Sequence, residues 1–338
     1  LASVGGWLII NSNAALTNFD GLTNITSLGG VLNIYDNVAL ANLDGLANLT
    51  SVGGWLIINS NASLTNLDGL TNITSLGGGL NIYDNAALAN LDGLASLTSV
   101  GGYLDIGDNA VLTNLNGLAN ITSVGGDLWI FNNDALTNLD GLANITSVGG
   151  NLDIYDNNAL TNLDGLASLT SVGGDLRISE NDTLTDCQGV ALVLGWPNGP
   201  PDDNVGGKIS IESNATGCNS VAEVLASVPI QAPSAPLITS IDYEDGEITL
   251  NVSVSNNGGA KITLYDATCT DGTNVFTGTS TSSPITVSGL TNGVAYTCTV
   301  TATNSVGTSS ASAATAPIIP EEQVSGGLPI WLLYQATQ

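Results

Sequence analysis

The chain has no histidine and no methionine, and only Arg177, Lys208 and Lys261 carry positive charge. Without histidine it lacks the commonest acid/base near neutral pH and the commonest metal ligand. Three bases against thirty carboxylates give a formal charge of −27. Such a surface repels phosphate backbones and anionic headgroups, so nucleic acid and lipid are poor partners. It suits solubility in saline surroundings or the attraction of cations. Cysteine is scarce as well: Cys187, Cys218, Cys269 and Cys298 fall as two pairs in separate C-terminal modules. That distribution favours disulfides in an oxidising compartment over free thiols. Zinc is the weaker reading, because there is no Cys-x-x-Cys spacing and no histidine to complete a site. The chain opens at Leu1, inside a repeat unit and without an initiator. We therefore expect a processed or truncated product that is secreted or displayed on a cell surface.

What is present is a repeat. Gly-Gly recurs every 24 residues from Gly5-Gly6 to Gly173-Gly174, and such periodicity is to be read before anything else. Each unit approximates x-L-x-I-x-x-N-x-x-L-T-N-L-D-G-L-x-N-I-T-S-V-G-G, and residues 1–48 nearly reproduce residues 49–96. The x-L-x-I-x stretch alternates as a strand with one buried face requires, which points Leu8, Ile10, Leu32, Ile34, Leu56 and Ile58 inward. The later apolar positions, such as Leu16, Phe19, Leu22, Ile25 and Leu28, return the chain around the same core with no room for a long helix. One unit cannot close that core, so stability must come from stacking, with strands about 4.8 Å apart in a parallel ladder. The expected class is mainly β: a parallel solenoid of 24-residue coils followed by a small antiparallel β-sandwich.

One asparagine holds the same place in all eight units, Asn13, Asn37, Asn61, Asn85, Asn109, Asn133, Asn157 and Asn181. We read it as structural, its amide bonding to backbone groups of neighbouring coils. Asp20-Gly21 recurs down the array, replaced once by Asn116-Gly117, and marks a tight turn. A cation groove along these aspartates is the lesser alternative, since Asn116 interrupts the row. Residues 101–109 superficially resemble calcium-binding nonapeptide repeats, but Leu104 occupies a glycine position and the period is 24 rather than nine.

These residues resemble the leucine-rich-repeat family, whose L-x-x-L-x-L-x-x-N-x-L pattern they shorten and vary. The nearest likeness is to receptor L-domain-type repeats and their bacterial relatives, where Leu-Thr-Ser-Val-Gly-Gly precedes each strand. It covers about residues 1–229, with a cap over about 182–229. The resemblance implies recognition of proteins or glycans on the open strand face. Asp-Gly turns in place of helical returns put strong horseshoe curvature in doubt.

After Asp186 an insertion through Trp196-Pro197-Asn198-Gly199-Pro200-Pro201 precedes a ninth unit at Gly206-Gly207, with Lys208-Ile209-Ser210-Ile211 as its strand and Asn214 at its turn. Cys187 replaces an inward leucine and Cys218 follows Asn214, so the two are placed to meet between coils. Ser220-Val221-Ala222-Glu223 has capping-box spacing for a short covering helix. Residues 230–236, rich in proline, read as a stiff linker. Residues 237–317 alternate short Thr/Ser/Val strands with Asp-Gly and Asn-Gly turns and read as an antiparallel sandwich. They resemble a bacterial fibronectin type III domain, notably at Ser288–Gly293 and Tyr296–Val300, which implies a spacer or adhesive role. Cys269 and Cys298 are placed to join neighbouring strands. The tail, 318–338, contains Gly326–Tyr334, faintly similar to sorting tags of exported bacterial proteins; its apolar run is too short to span a bilayer and lacks the usual basic end, so a disordered or docked terminus is expected instead.

Outward strand positions are where the units stop agreeing. Trp7, Tyr35, Trp55, Tyr83, Tyr103, Trp129, Phe131 and Tyr155 are interleaved there with Asn and with Asp105 and Asp153. Rings can stack on sugars or anchor a protein while amides and carboxylates bind hydroxyls; strand propensity alone is the bland alternative. The leading expectation is an extracellular or cell-surface adhesion protein that binds a glycan or protein on this face, with no catalysis and no cofactor. A second is ice or crystalline-surface binding, from the register of Thr26, Thr50, Thr74, Thr98, Thr122, Thr146 and Thr170. A third is a glycosidase using Asp105 and Asp153, two coils apart, near the upper limit for an inverting pair. Asn24, Asn48, Asn72, Asn120 and Asn144 formally match glycosylation acceptors and are read as by-products of the repeat.

Overall fold

In a computed structural model of the chain, residues 2–196 and 204–321 are described. The residues from Pro197 to Pro201 in the insertion, and the apolar tail, lie outside them. Contacts divide the chain after Val228 into two compact units.

In the first unit each 24-residue coil makes a four-residue strand, a single 3-10 turn and a two-residue strand, as in Leu104–Gly107, Asn116–Leu118 and Ser123–Val124. The long strands stack into a nine-stranded parallel sheet from Leu8–Asn11 to Ile209–Glu212, and the short ones into a second, eight-stranded sheet. Register follows the repeat, with Leu104 beside Leu128 and Ile106 beside Ile130. A single interior coil places Leu104, Ile106, Leu112, Leu115, Leu118, Ile121 and Val124 in the core, all buried. Each is worth about 1.5–3 kcal/mol on full burial, and none is shielded without the coils on either side. Leu8 and Ile10, on the terminal coil, are accordingly only half-buried.

The glycines are dictated by this stacking. A Cβ on Gly77 would sit 2.2 Å from the carbonyl oxygen of Gly53, and one on Gly93 would sit 1.8 Å from that of Leu67. Asp-Gly does mark a turn, but its glycine does not have positive φ; it is needed because the preceding coil's backbone passes against it. Left-handed backbone falls instead on non-glycine residues just before the ladder asparagine, including Asp84, Asp108 and Asn132. Asparagine, aspartate and serine accept that conformation because their short side chains bond locally.

The asparagine column is a continuous hydrogen-bonded ladder. Asn85 N–H donates to Asn109 Oδ1 at 3.2 Å, and Asn109 Nδ2 donates to the carbonyls of Ile82 at 3.0 Å and Gly107 at 2.8 Å. From Asn37 to Asn181 these side chains are fully buried. The ladder ends at Asn214, whose N–H donates to Asn219 Oδ1 at 2.9 Å. Beyond it the disulfide Cys187–Cys218 joins the last two coils, and the helix Val221–Ser227 covers the end with Val224. Ser220 Oγ accepts from Glu223 N–H, while Glu223 Oε2 reaches back to the N–H groups of Asn219 and Gly217 rather than of Ser220.

The second unit is a sandwich of two three-stranded antiparallel sheets. One holds Leu237–Glu244, Glu247–Ser253 and Ile285–Ser288; the other holds Leu264–Thr270, Val275–Ser280 and Thr297–Thr303. Cys269 and Cys298 stand directly opposite on neighbouring strands and form a disulfide. Tyr296, two residues earlier, is buried and its hydroxyl accepts from Thr291 N–H at 3.0 Å, the corner seen in immunoglobulin-like sandwiches. The segment read as a linker bonds to this unit, with Gln231 N–H on Gly258 O and Ser234 N–H on Asn256 O. Along Thr297–Thr303 runs a further segment with a three-residue period. Ser309, Ser312 and Thr315 donate their N–H groups to Ala302, Val300 and Cys298 carbonyls, and their hydroxyl oxygens accept from the same residues' N–H groups.

Candidate ligand-binding face

Because side chains alternate along each long strand, the Leu and Ile positions face the core and three columns face out. The residue before each strand gives the first column, its second residue the middle one and its last residue the third. Parallel in-register stacking turns each column into a row of neighbours about 4.8 Å apart.

Six of the eight expected aromatics are joined ring to ring. Trp55 meets Tyr103 with centroids 4.9 Å apart, and Tyr103 stacks with Trp129 at 5.9 Å. In the third column Tyr83 meets Phe131 at 6.0 Å, Phe131 stacks on Tyr155 at 5.0 Å, and Arg177 lies 4.9 Å above the Tyr155 ring. Trp7 and Tyr35 make no such contact among the described residues; Trp7 is 71% exposed on the terminal coil. Two residues not singled out from the sequence make the longer contacts possible. Gly79 lies between Trp55 and Tyr103, and Gly107 between Tyr83 and Phe131. The signal was present as glycines in columns where other coils carry side chains.

The middle column carries the polar groups. Asn81 Nδ2 donates to Asp105 Oδ2 at 2.6 Å, and Asp105 is in register with Asn81 on one side and Trp129 on the other. Desolvation pushes the Asp105 carboxyl up to about 6, against the lowering effect of the Asn81 bond and with a smaller push from Asp108. Asp153 is also raised, first by desolvation, with Trp129 and Arg177 opposing. The Tyr83 hydroxyl is raised chiefly by hydrogen bonding and charge from Asp108. Trp129, Asp153, Tyr155 and Arg177 line a shallow depression of about 240 Å³.

Six side-chain polar atoms among the described residues are shielded from water without a partner of standard hydrogen-bond geometry: Asn33 Oδ1, Asn59 Oδ1, Asn81 Oδ1, Asp105 Oδ1, Trp129 Nε1 and Ser179 Oγ. All six belong to the outward columns of this one face. Trp129 Nε1 comes near enough to Asp153 to lower its pKa without forming such a bond. Elsewhere in the solenoid many of the repeated polar groups are engaged. Thr26, Thr50, Thr98, Thr146 and Thr170 donate their hydroxyls to carbonyls of the preceding coil. Asn48, Asn72, Asn120 and Asn144 donate amides to the preceding coil at 2.7 Å. Asn42, two residues before Asp44, caps that aspartate's N–H. Among the described residues no group of three or more Asp, Glu or Cys is placed to hold a metal, and no helix is long and apolar enough to cross a membrane.

The chain matches no family model and no curated protein. Among solved structures it is similar to domains A168-A170 of titin, at 24% identity and a TM-score of 0.25. It is also similar to titin kinase with its flanking domains, at 25% identity and a TM-score of 0.24. Each likeness covers 27% of this chain, and 33% and 17% of those chains respectively.

Proposed function

We propose that the protein is an extracellular or cell-surface recognition module that binds a glycan or protein on the outward face of its nine-stranded sheet, with the sandwich as a spacer. The observation that carries this reading is that all six unpartnered polar atoms among the described residues fall on the face that carries the joined rings, three of them, on Asn81, Asp105 and Trp129, among the rings themselves. An unmade hydrogen bond costs about 1–3 kcal/mol, and a ligand's polar groups would recover that cost. The likeness of the coils to leucine-rich repeats of the receptor L-domain type, and of the sandwich to fibronectin type III domains, supports the same assignment. So do two disulfides, which suit an oxidising compartment. We read Asp105 and Asp153 as ligand-contacting groups desolvated by their neighbours, not as an acid/base pair.

The test is capture on glycan and extracellular-protein arrays. Replacing Trp55, Tyr83 and Trp129 together with alanine abolishes capture while the circular dichroism spectrum is retained. Undiminished capture by the folded triple variant would remove this face from consideration.

A further inference from the structure

Residues 1–48 and 49–96 differ at six places: Ala2/Thr50, Ala15/Ser63, Phe19/Leu67, Val31/Gly79, Val38/Ala86 and Asn48/Ser96. Only Val31/Gly79 lies in the outward strand columns. Its effect is large. A Cβ on Gly79 would fall 2.4 Å from Trp55 Cζ3 and 2.7 Å from Cε3, so the indole lies flat across the space that valine fills beside Trp7. Trp55 thereby reaches over a whole coil to Tyr103, whereas Trp7 joins no other ring among the described residues. Gly107 does the same in the third column, where a Cβ would fall 2.3 Å from Phe131 Cζ and the ring spans to Tyr83.

Glycine weakens a strand, so a reason is required at both places. An aromatic ring laid over a glycine can simply restore lost packing, but that needs one ring per glycine. Here the rings continue past both glycines, from Tyr103 across to Trp129 of the middle column and from Phe131 on to Tyr155, and within them Asn81 Oδ1, Asp105 Oδ1 and Trp129 Nε1 lack partners.

Resting on the reading above that this face binds a ligand, we infer that Gly79 and Gly107 are beds for Trp55 and Phe131, and that the resulting platform holds an uncharged polysaccharide lying across the strands. A pyranose offers an apolar C–H face to flat rings and hydroxyls at its edge, and a hydroxyl both donates and accepts. That matches two orphaned acceptors and one orphaned donor between aromatic rows. Asp105, Asp127, Asp153 and Asp175 outnumber Arg177, which disfavours sulfated or uronate chains. The face is shallow, as suits a polymer laid on it rather than a small molecule enclosed by it. From Trp55 to Tyr155 is four coil spacings, roughly 19 Å, the reach of about five sugar rings at one ring per coil.

The whole chain is tested by affinity electrophoresis and calorimetry against laminarin, methylcellulose, xylan and galactomannan, with dextran sulfate as polyanion. Gly79→Val copies Val31 and Gly107→Asn copies Asn59, so the coil already tolerates both side chains. At least one neutral polymer binds and dextran sulfate does not. Each variant weakens that binding about tenfold, the loss of one aromatic anchor, with little change in thermal melting. Affinity for the corresponding oligosaccharides rises with length and levels off at about five or six rings. Capture of an extracellular protein, lost in Trp129→Ala, with no neutral polymer bound, would overturn the glycan assignment and leave the binding face standing. Absence of any Trp129-dependent ligand would overturn both. Unchanged binding in Gly79→Val and Gly107→Asn, with loss in Trp55→Ala, would show the glycines to be irrelevant to the platform.

Discussion

Asn109→Ala removes one rung from the middle of the buried ladder. The Asn85 N–H loses its acceptor at 3.2 Å, and the carbonyls of Ile82 and Gly107 lose an amide donor at 3.0 and 2.8 Å. Gly107 O retains the Asp84 N–H, and Asn85 Nδ2 retains Ile58 O and Tyr83 O. What remains is one orphaned backbone donor in a site with no water access, costing about 1–3 kcal/mol, plus two lost bonds at about 1 kcal/mol each. The expected loss is roughly 3–5 kcal/mol. Asn13→Ala supplies the internal comparison. That side chain is exposed, and it donates to Asn11 O and Asn37 Oδ1, with no earlier coil depending on its Oδ1. Its loss should cost about 0.5–1.5 kcal/mol. Urea unfolding followed by circular dichroism gives both numbers. Hydrogen exchange should place the Asn109→Ala loosening in the adjoining coils, because stability here is set by neighbour interfaces. Equal losses for Asn13→Ala and Asn109→Ala would refute the ladder as the source of the effect.

The Asp-Gly turns make a sharper contrast within one motif. Gly21→Ala meets nothing within 4 Å and should be neutral or gain about 0.5 kcal/mol through the unfolded chain. Gly93→Ala drives a Cβ against Leu67 O, 1.8 Å away, and should lower the melting temperature steeply or prevent folding; similar melting of the two variants would contradict the close-approach account. Asp105 gives a pH test. Its folded-state pKa is raised to about 6 by desolvation, so between the ordinary carboxylate range and pH 6 the folded chain holds a proton that the unfolded chain has released. Stability at this group therefore rises as pH falls through that window. Asp105→Asn should be more stable than the parent by about 1 kcal/mol near pH 8, after allowing for screening at a partly exposed site, and the gap should close by about pH 4. A gap independent of pH in urea midpoints would rule out the carboxylate as its cause.

The solenoid was legible because its constraints repeat. Leucine and isoleucine at alternate positions specify a one-faced strand, and eight copies of one asparagine announce a role shared by every coil. The glycine of Asp-Gly misled in mechanism, since a tight turn and a close approach both exclude a side chain and only coordinates separate them. The segment after Thr303 was harder still. Ser309, Ser312 and Thr315 follow a three-residue period, which a search for two-residue alternation does not register. On the candidate face the columns could be written out from the sequence, but their coupling could not. Trp55 touches Tyr103 two coils away only because the residue between them is glycine, and that is a fact about an empty space.

Coil positions divide by how many neighbours hold them. A core leucine or a ladder asparagine contacts the coils before and after it, so a change at one of them disturbs two interfaces, while the glycine of each Asp-Gly turn is pressed against the coil before it. An outward strand residue rests on its own column and is free to vary without loosening the stack. The face can therefore be altered coil by coil at little cost in stability, and the near-copy of residues 1–48 in residues 49–96 shows one such step in Val31/Gly79. With glycine at 79, Trp55 lies across the intervening coil and meets Tyr103, a contact between coils that are not neighbours in the sheet. In this architecture a row of joined rings is extended by the absence of a side chain as readily as by adding rings, as at Gly79 and Gly107.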